Sequence, residues 1–244
     1  MKSKNLWLTA VVAALASASA LAQQNTIKLG VANVQPHSSA SDFTGNGPPG
    51  TTPAGISLEV QNKTTPYFSF SRELNDNWDI ELALGLPPTH DVILKVNTAS
   101  AATNAVYNGQ KASTVRQIAP TVFANYKFLE KSSKIRPFLG AGINYTKFDE
   151  FKLTSTSNSL NCGGGAIPGC GTSSFSMSDS WGLALQAGVT YNFTKEWSLT
   201  GSVATAQVKS KITTSTPYAG GNIQRTSDIK FSPTVFTVAV GYSF

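Results

Sequence analysis

The sequence predicts an all-β fold: an eight-stranded antiparallel up-and-down transmembrane β-barrel. Three observations carry this. Apolar residues recur at every second position in run after run. The opposite face of those runs is small and weakly polar instead of charged. The connectors alternate between short and long. Composition agrees, with 41% of the 244 residues hydrophobic and only 13% charged, against roughly a quarter charged in an ordinary soluble domain. Disorder, which needs low hydrophobicity and high charge, is excluded. A mean hydropathy of −0.08 excludes a helical membrane protein. The 20 glycines, with abundant Ser, Thr and Asn, suit strands joined by polar loops.

The first 22 residues read as a leader. Lys2 and Lys4 form a positive start, Leu6–Ala16 an apolar stretch, and Ala20-Leu21-Ala22 an A-x-A cleavage site. The apolar stretch is short for a membrane anchor, which needs about 20 residues. A secretory signal cleaved after Ala22 is therefore expected, leaving residues 23–244 as the barrel. The formal charge is +6, with two of the lysines in that leader. No dense basic run with interleaved aromatics occurs, so nucleic acid is not an expected partner.

Strand by strand, the clearest run is Ser180–Phe193. Trp181, Leu183, Leu185, Ala187, Val189, Tyr191 and Phe193 alternate with Ser180, Gly182, Ala184, Gln186, Gly188, Thr190 and Asn192. The final segment repeats the pattern with Phe236, Val238, Val240, Tyr242 and Phe244. Trp78–Leu86, Ile118–Phe128, Leu139–Tyr145 and Trp197–Val203 match it, and segments near Ile27–Val34 and Tyr67–Leu74 complete eight.

A soluble sandwich also hides one face of each strand. The Gly, Ala, Ser and Thr opposite the apolar face favour a narrow barrel interior instead. Short connectors at 75–77, 129–134 and 194–196 alternate with long outer loops near 36–54, 87–110, 149–177 and 210–226. Transmembrane barrels have short periplasmic turns and long outer loops. Trp78, Tyr126, Phe128, Tyr191, Phe193, Trp197, Tyr242 and Phe244 all fall at the short-turn end, where an aromatic girdle belongs. Cys162 and Cys170, in the run CGGGAIPGC, are expected to form a disulfide after export; a two-thiolate metal site lacks further ligands there.

Several stretches resemble the outer-membrane protein W (OmpW) family: SSKIRPFLGAGINYTKF (Ser132–Phe148), DSWGLALQAGVTY (Asp179–Tyr191), KEW (Lys195–Trp197), SPTVFTVAVGYSF (Ser232–Phe244) and LPPTH (Leu86–His90). The cysteine pair with its glycine run departs from that pattern. The resemblance implies an eight-stranded barrel in the outer membrane of a Gram-negative bacterium. It also implies a narrow, largely hydrophobic channel for small apolar molecules. The expected partners are outer-membrane lipid, a small hydrophobic solute, and the periplasmic chaperones and barrel-assembly machinery, whose signal the terminal Phe244 resembles.

With the apolar face toward lipid, the other face gives the interior. Lys28, Glu73, Asp79, Glu81, Lys127 and Arg136 fall on it or near its parity, toward the periplasmic ends of their strands. Unpaired charges there would be costly, so a balanced ionic cluster closing that end is expected, with solvation at the rim as the alternative. Higher up, Val34, Tyr67, Ala83, Phe123, Phe138, Phe148, Ala184, Ala204 and Val235 are the expected channel-lining residues. An eight-stranded interior is filled or holds one small ligand, so an outward-opening apolar pocket is expected instead of an ion pore. Pro66, Pro120, Pro137 and Pro233 either mark strand starts and bulges or loosen the wall locally. No catalytic motif, metal ligand set or cofactor signature appears. His37 and His90 lack a spaced nucleophile and read as polar contacts at strand-to-loop borders. A plugged structural or adhesive barrel acting through its loops is the alternative function.

Overall fold

A computed structural model describes residues 24–46 and 55–244. The expected leader lies outside the described residues. In chain order the strands are β1 (Asn25–Gln35), β2 (Ser38–Ala40), β3 (Thr44–Asn46), β4 (Ile56–Val60), β5 (Lys63–Glu73), β6 (Trp78–Gly85), β7 (Thr89–Val96), β8 (Lys111–Ile118), β9 (Thr121–Lys127), β10 (Ile135–Leu153), β11 (Ser174–Met177), β12 (Ser180–Asn192), β13 (Trp197–Ala206), β14 (Val208–Tyr218), β15 (Gly221–Phe231) and β16 (Thr234–Ser243). Two short helices, α1 (Ala101–Tyr107) and α2 (Ser155–Asn161), interrupt them. Each is opened by a hydroxyl cap: Ser100 accepts from the Thr103 N–H, and Thr154 from that of Ser157.

Eight strands close a barrel in the order β1, β5, β6, β9, β10, β12, β13, β16, every neighbour antiparallel. Closure is made by β16 against β1, with Leu29 opposite Val240, and the β10–β12 pair runs from Ile135 opposite Tyr191 to Thr146 opposite Ser180. All eight strands expected from the period-two runs are present. A closed barrel leaves no sheet edge in lipid, where unpaired backbone groups are too costly.

The two faces fall as the alternation dictates. Leu29, Val31, Leu183, Leu185 and Val238 face outward and are all more than half exposed, while Ala32, Ala184 and Ala239 face inward and are buried. Only lipid makes such a large apolar outer surface stable. On β12 the outward band runs from Trp181 to Tyr191, about 25 Å in height at ~3.3 Å per residue and a tilt near 40°. At the short-turn end Trp78 packs on Tyr126 with ring centroids 5.2 Å apart, Tyr191 on Phe193 at 5.2 Å, and Trp197 on Tyr242 at 5.0 Å. Tyr145 and Trp181, 4.8 Å apart, mark the opposite boundary.

The segments expected as long outer loops differ from that expectation: each carries strand, and 210–226 is strand over almost its whole length. Above the membrane band, β4, β7 and β8 continue the sheet off the upper part of β10, and β14 and β15 form a hairpin joined by β2, β3 and β11. The two sheets face each other across a core of Ile56, Leu58, Val92, Leu94, Val115, Phe148, Val208, Ile212, Ile229 and Phe231. Burying these side chains stabilises the projecting strands, which water-exposed loops of the same length could not do. Arg116 on β8 bridges the irregular register of β10, pairing with Asp149 at 2.8 Å and Glu150 at 2.6 Å. Cys162 and Cys170 form the expected disulfide, at the end of α2.

Candidate functional site

The interior divides into three levels. Uppermost within the barrel is a cavity of about 140 Å³. Seven of the nine expected lining residues meet there: Val34, Tyr67, Ala83, Phe123, Ala184, Ala204 and Val235. The other two lie elsewhere. Phe138 sits lower, on the wall of a separate vestibule, and Phe148 packs against Phe231 at 5.5 Å in the extracellular core. The parity of Phe148 is inward, but β10 is 19 residues long, or roughly 60 Å at ~3.3 Å per residue. It therefore carries Phe148 beyond the membrane.

Beneath the cavity lies a closed polar floor. Lys28 and Glu81 pair at 2.8 Å and are both buried. Glu81 also accepts from Ser69 (2.6 Å), Tyr67 (3.2 Å), Asn125 (3.1 Å) and Gln186 (3.2 Å). Five donors on one buried carboxylate offset the cost of removing it from water. Asn125 donates to Asp79 at 2.8 Å, tying the two carboxylates together. Lys127 pairs with Asp79 at 2.8 Å and Glu73 at 3.3 Å. Thus Lys28, Glu73, Asp79, Glu81 and Lys127 form one ion-pair and amide network. Arg136 does not join it by an ion pair. It is buried, and its guanidinium donates to the Asp76 carbonyl at 2.6 Å, in the turn below.

Three network members carried no charge signal in the sequence, namely Asn125, Gln186 and Ser69, and Lys131 sits in a turn. Lys131 reaches Glu73 at 2.6 Å. The inward parity that exposes Phe123 and Lys127 also exposes Asn125, and that signal was available. Gly140 makes the floor possible. A Cβ there would lie 2.1 Å from Asn125 Oδ1 and 2.8 Å from Gln186 Cγ, so only glycine leaves room for the two amides to meet. Below the floor is a polar vestibule of about 700 Å³, lined by Lys131, Lys134, Arg136, Lys195 and the pairs just described.

The cavity reaches the barrel wall. Besides inward residues it touches Leu84, Leu86, Pro87, Pro88, Ala119 and Thr205. The β6–β9 ladder ends at Ala83 opposite Thr121, and the β7–β8 ladder starts at Thr89 opposite Arg116. Between them Pro87, Pro88 and Pro120 contribute no ladder donor. Pro66 and Pro137, by contrast, sit inside β5 and β10, and Pro233 lies just before β16. Directly overhead the extracellular core is packed by Val208, Phe148 and Phe231.

His90 is buried, with Nδ1 2.8 Å from the Gln61 carbonyl and Nε2 3.1 Å from Gln117 Oε1. Burial holds its pKa below the ordinary value. His37 has a positive φ of 42° just after β1. Among the described residues no group of three or more His, Cys, Asp or Glu is placed to hold a metal ion.

Apolar outer band, aromatic girdle and closed, partly charged interior together define a small outer-membrane β-barrel with a plugged lumen. A family model described as the OmpW family matches residues 24–244. Outer membrane protein W of Vibrio cholerae is 30% identical over 238 residues, covering 96% of each chain. The crystal structure of outer membrane protein OprG from Pseudomonas aeruginosa superposes with a TM-score of 0.75 at 26% identity, covering 91% of this chain and 96% of that one. A more distant relative, the dibenzothiophene metabolism operon protein PahQ of Pseudomonas aeruginosa, is 23% identical over 219 residues, covering 90% of this chain and 88% of its own. The chain belongs to the OmpW family of Gram-negative outer-membrane proteins.

Proposed function

We propose that the barrel takes up small apolar molecules in its upper cavity and releases them sideways into the outer membrane. The observation that carries this is the cavity itself: walled largely by apolar side chains, floored by the Lys28–Glu81–Asn125–Gln186 network, and touching the wall at Leu84–Pro88 and Ala119, where Pro87, Pro88 and Pro120 bring no ladder donor. A hydrocarbon-like guest gains nothing from the charged vestibule below, and a lateral exit keeps it in an apolar medium throughout. An ion would meet a dry wall and a filled floor, so ion conduction is not part of the function. The dibenzothiophene-operon relative supports an apolar aromatic substrate class.

The experiment is uptake of an apolar dye into liposomes with and without the protein, alongside Phe123→Asp. Phe123 is buried on the cavity wall. A protein-dependent rate that Phe123→Asp abolishes supports the reading; equal rates with and without protein remove transport. A structural or adhesive role through the projecting sheets remains the second reading, favoured by their separate core, and equal rates would move the assignment to it.

A further inference from the structure

We propose that the cavity selects, among small apolar molecules, those that carry one hydrogen-bond donor. This rests on the uptake reading above and narrows its substrate class. The argument is a chain of forced orientations. Asp79 and Glu81 face donors on every side and act as acceptors. The Asn125 amide nitrogen therefore points at both, at 2.8 and 3.1 Å, which leaves its Oδ1 as an acceptor. Gln186 must then turn its own amide nitrogen toward that oxygen, at 2.7 Å, and toward Glu81, at 3.2 Å.

The consequence falls on Gln186 Oε1. It has no hydrogen-bond partner among the described residues, while Gln186 is buried and lines the cavity. The Tyr67 hydroxyl proton is committed to Glu81, so that oxygen too can only accept. Asn144, further up, spends its amide nitrogen on Thr121 Oγ1 at 2.8 Å and accepts from Thr146 at 2.6 Å. The hydroxyls of Thr237 and Ser202 rotate and favour neither role. The floor of the cavity thus presents fixed acceptors. Gln186 lines the cavity, so a guest that displaces water from its Oε1 loses affinity unless a hydroxyl or N–H of its own replaces that bond.

Size sets the other limit. A volume of about 140 Å³ is close to the ~150 Å³ at which an apolar protein cavity takes benzene. The implied ligand is a single ring or short chain with one hydroxyl or ring N–H.

The test uses the full barrel in proteoliposomes, with phenol, toluene and anisole as probes. Phenol and toluene match in shape, and anisole keeps the oxygen but loses the donor. Affinity for the saturable site is referred to each probe's partition into the same lipid without protein. Phenol should exceed both toluene and anisole about fivefold, the factor one neutral hydrogen bond carries. Gln186→Leu should erase that preference while toluene still binds. Should the variant fail to fold, the phenol–anisole comparison on the unaltered protein decides alone. Equal lipid-referred affinities for all three, or a preference that survives Gln186→Leu, overturn the selectivity while the uptake reading stands. Absence of saturable binding for every probe overturns both.

Discussion

Replacing Gly140 by alanine places one methyl group into the middle of the polar floor. The new Cβ would sit 2.1 Å from Asn125 Oδ1, 2.8 Å from Gln186 Cγ and 3.2 Å from Gln186 Nε2. None of these atoms is the free end of a flexible chain, because Asn125 is held by Asp79 and Glu81 and Gln186 by Glu81 and Asn125. Relief requires breaking the 2.7 Å Asn125–Gln186 bond or moving β10. Overpacking a tight interior costs about 1–3 kcal/mol. Loss of this neutral amide–amide hydrogen bond adds about 0.5–1.5 kcal/mol. Alanine returns roughly 0.5–1 kcal/mol over glycine within a strand. The net expectation is destabilisation of about 2 kcal/mol, read by urea unfolding of the barrel refolded into lipid vesicles. Gly201→Ala is the matched control, since a Cβ there meets no atom within 4 Å, and it should stabilise the barrel by about 0.5–1 kcal/mol. If Gly140→Ala unfolds at the same urea concentration as Gly201→Ala, the packed floor is not the structure of the interior.

Three further outcomes follow from the same geometry. Lys28→Met strands the Glu81 carboxylate and should cost about 3–5 kcal/mol, whereas the paired change Lys28→Met with Glu81→Gln, which removes the charge and keeps an acceptor for the neighbouring donors, should recover part of it in the same urea assay. His90, in the projecting sheet, has its pKa lowered by burial. Its unfolded value is about 6.5, so below that pH the unfolded chain binds the proton more readily and stability falls as pH drops toward the folded value. Protection factors of β4 and β7 amides, corrected for the intrinsic exchange rate at each pH, should fall between pH 7 and 5, and His90→Gln should flatten that dependence. Replacing Cys162 and Cys170 by serine should destabilise the region around α2 by about 2–3 kcal/mol through loop-closure entropy, with barrel protection in hydrogen exchange unchanged.

Period two made the barrel legible. Residues 180–193 and 234–244 announce both the strands and their faces, because lipid and a narrow lumen demand such different side chains. The same period was present in Thr89–Val96, where His90, Val92, Leu94 and Val96 share the buried side. There it was masked by the assumption that length between barrel strands means loop. In β14 and β15 the buried side interleaves Val208, Ile212, Ile223, Ile229 and Phe231 with Ser210, Thr214, Thr216, Ser227 and Arg225, so the contrast in hydropathy between the two faces is weak. The ionic floor was half visible: charges stand out on a small-residue face, but Asn125 and Gln186 look like ordinary polar residues until their orientation is forced by the carboxylates. Arg136 shares the parity of the cluster yet hydrogen-bonds the turn, because sequence position fixes the side of a strand and not how far a long side chain reaches. The proline-rich stretch of wall that the cavity touches lies where two ladders end out of step, which no single segment encodes.

The measurement that bears most directly on the account is spin-label accessibility in lipid vesicles at neighbouring positions on two strands: Leu183 and Ala184 on β12, and Val238 and Ala239 on β16. The account predicts that labels at 183 and 238 collide freely with lipid-dissolved oxygen and are shielded from a water-soluble nickel chelate, while labels at 184 and 239 are sheltered from oxygen. The opposite alternation, with 184 and 239 in contact with lipid, would contradict the orientation of every strand and with it the cavity and its floor.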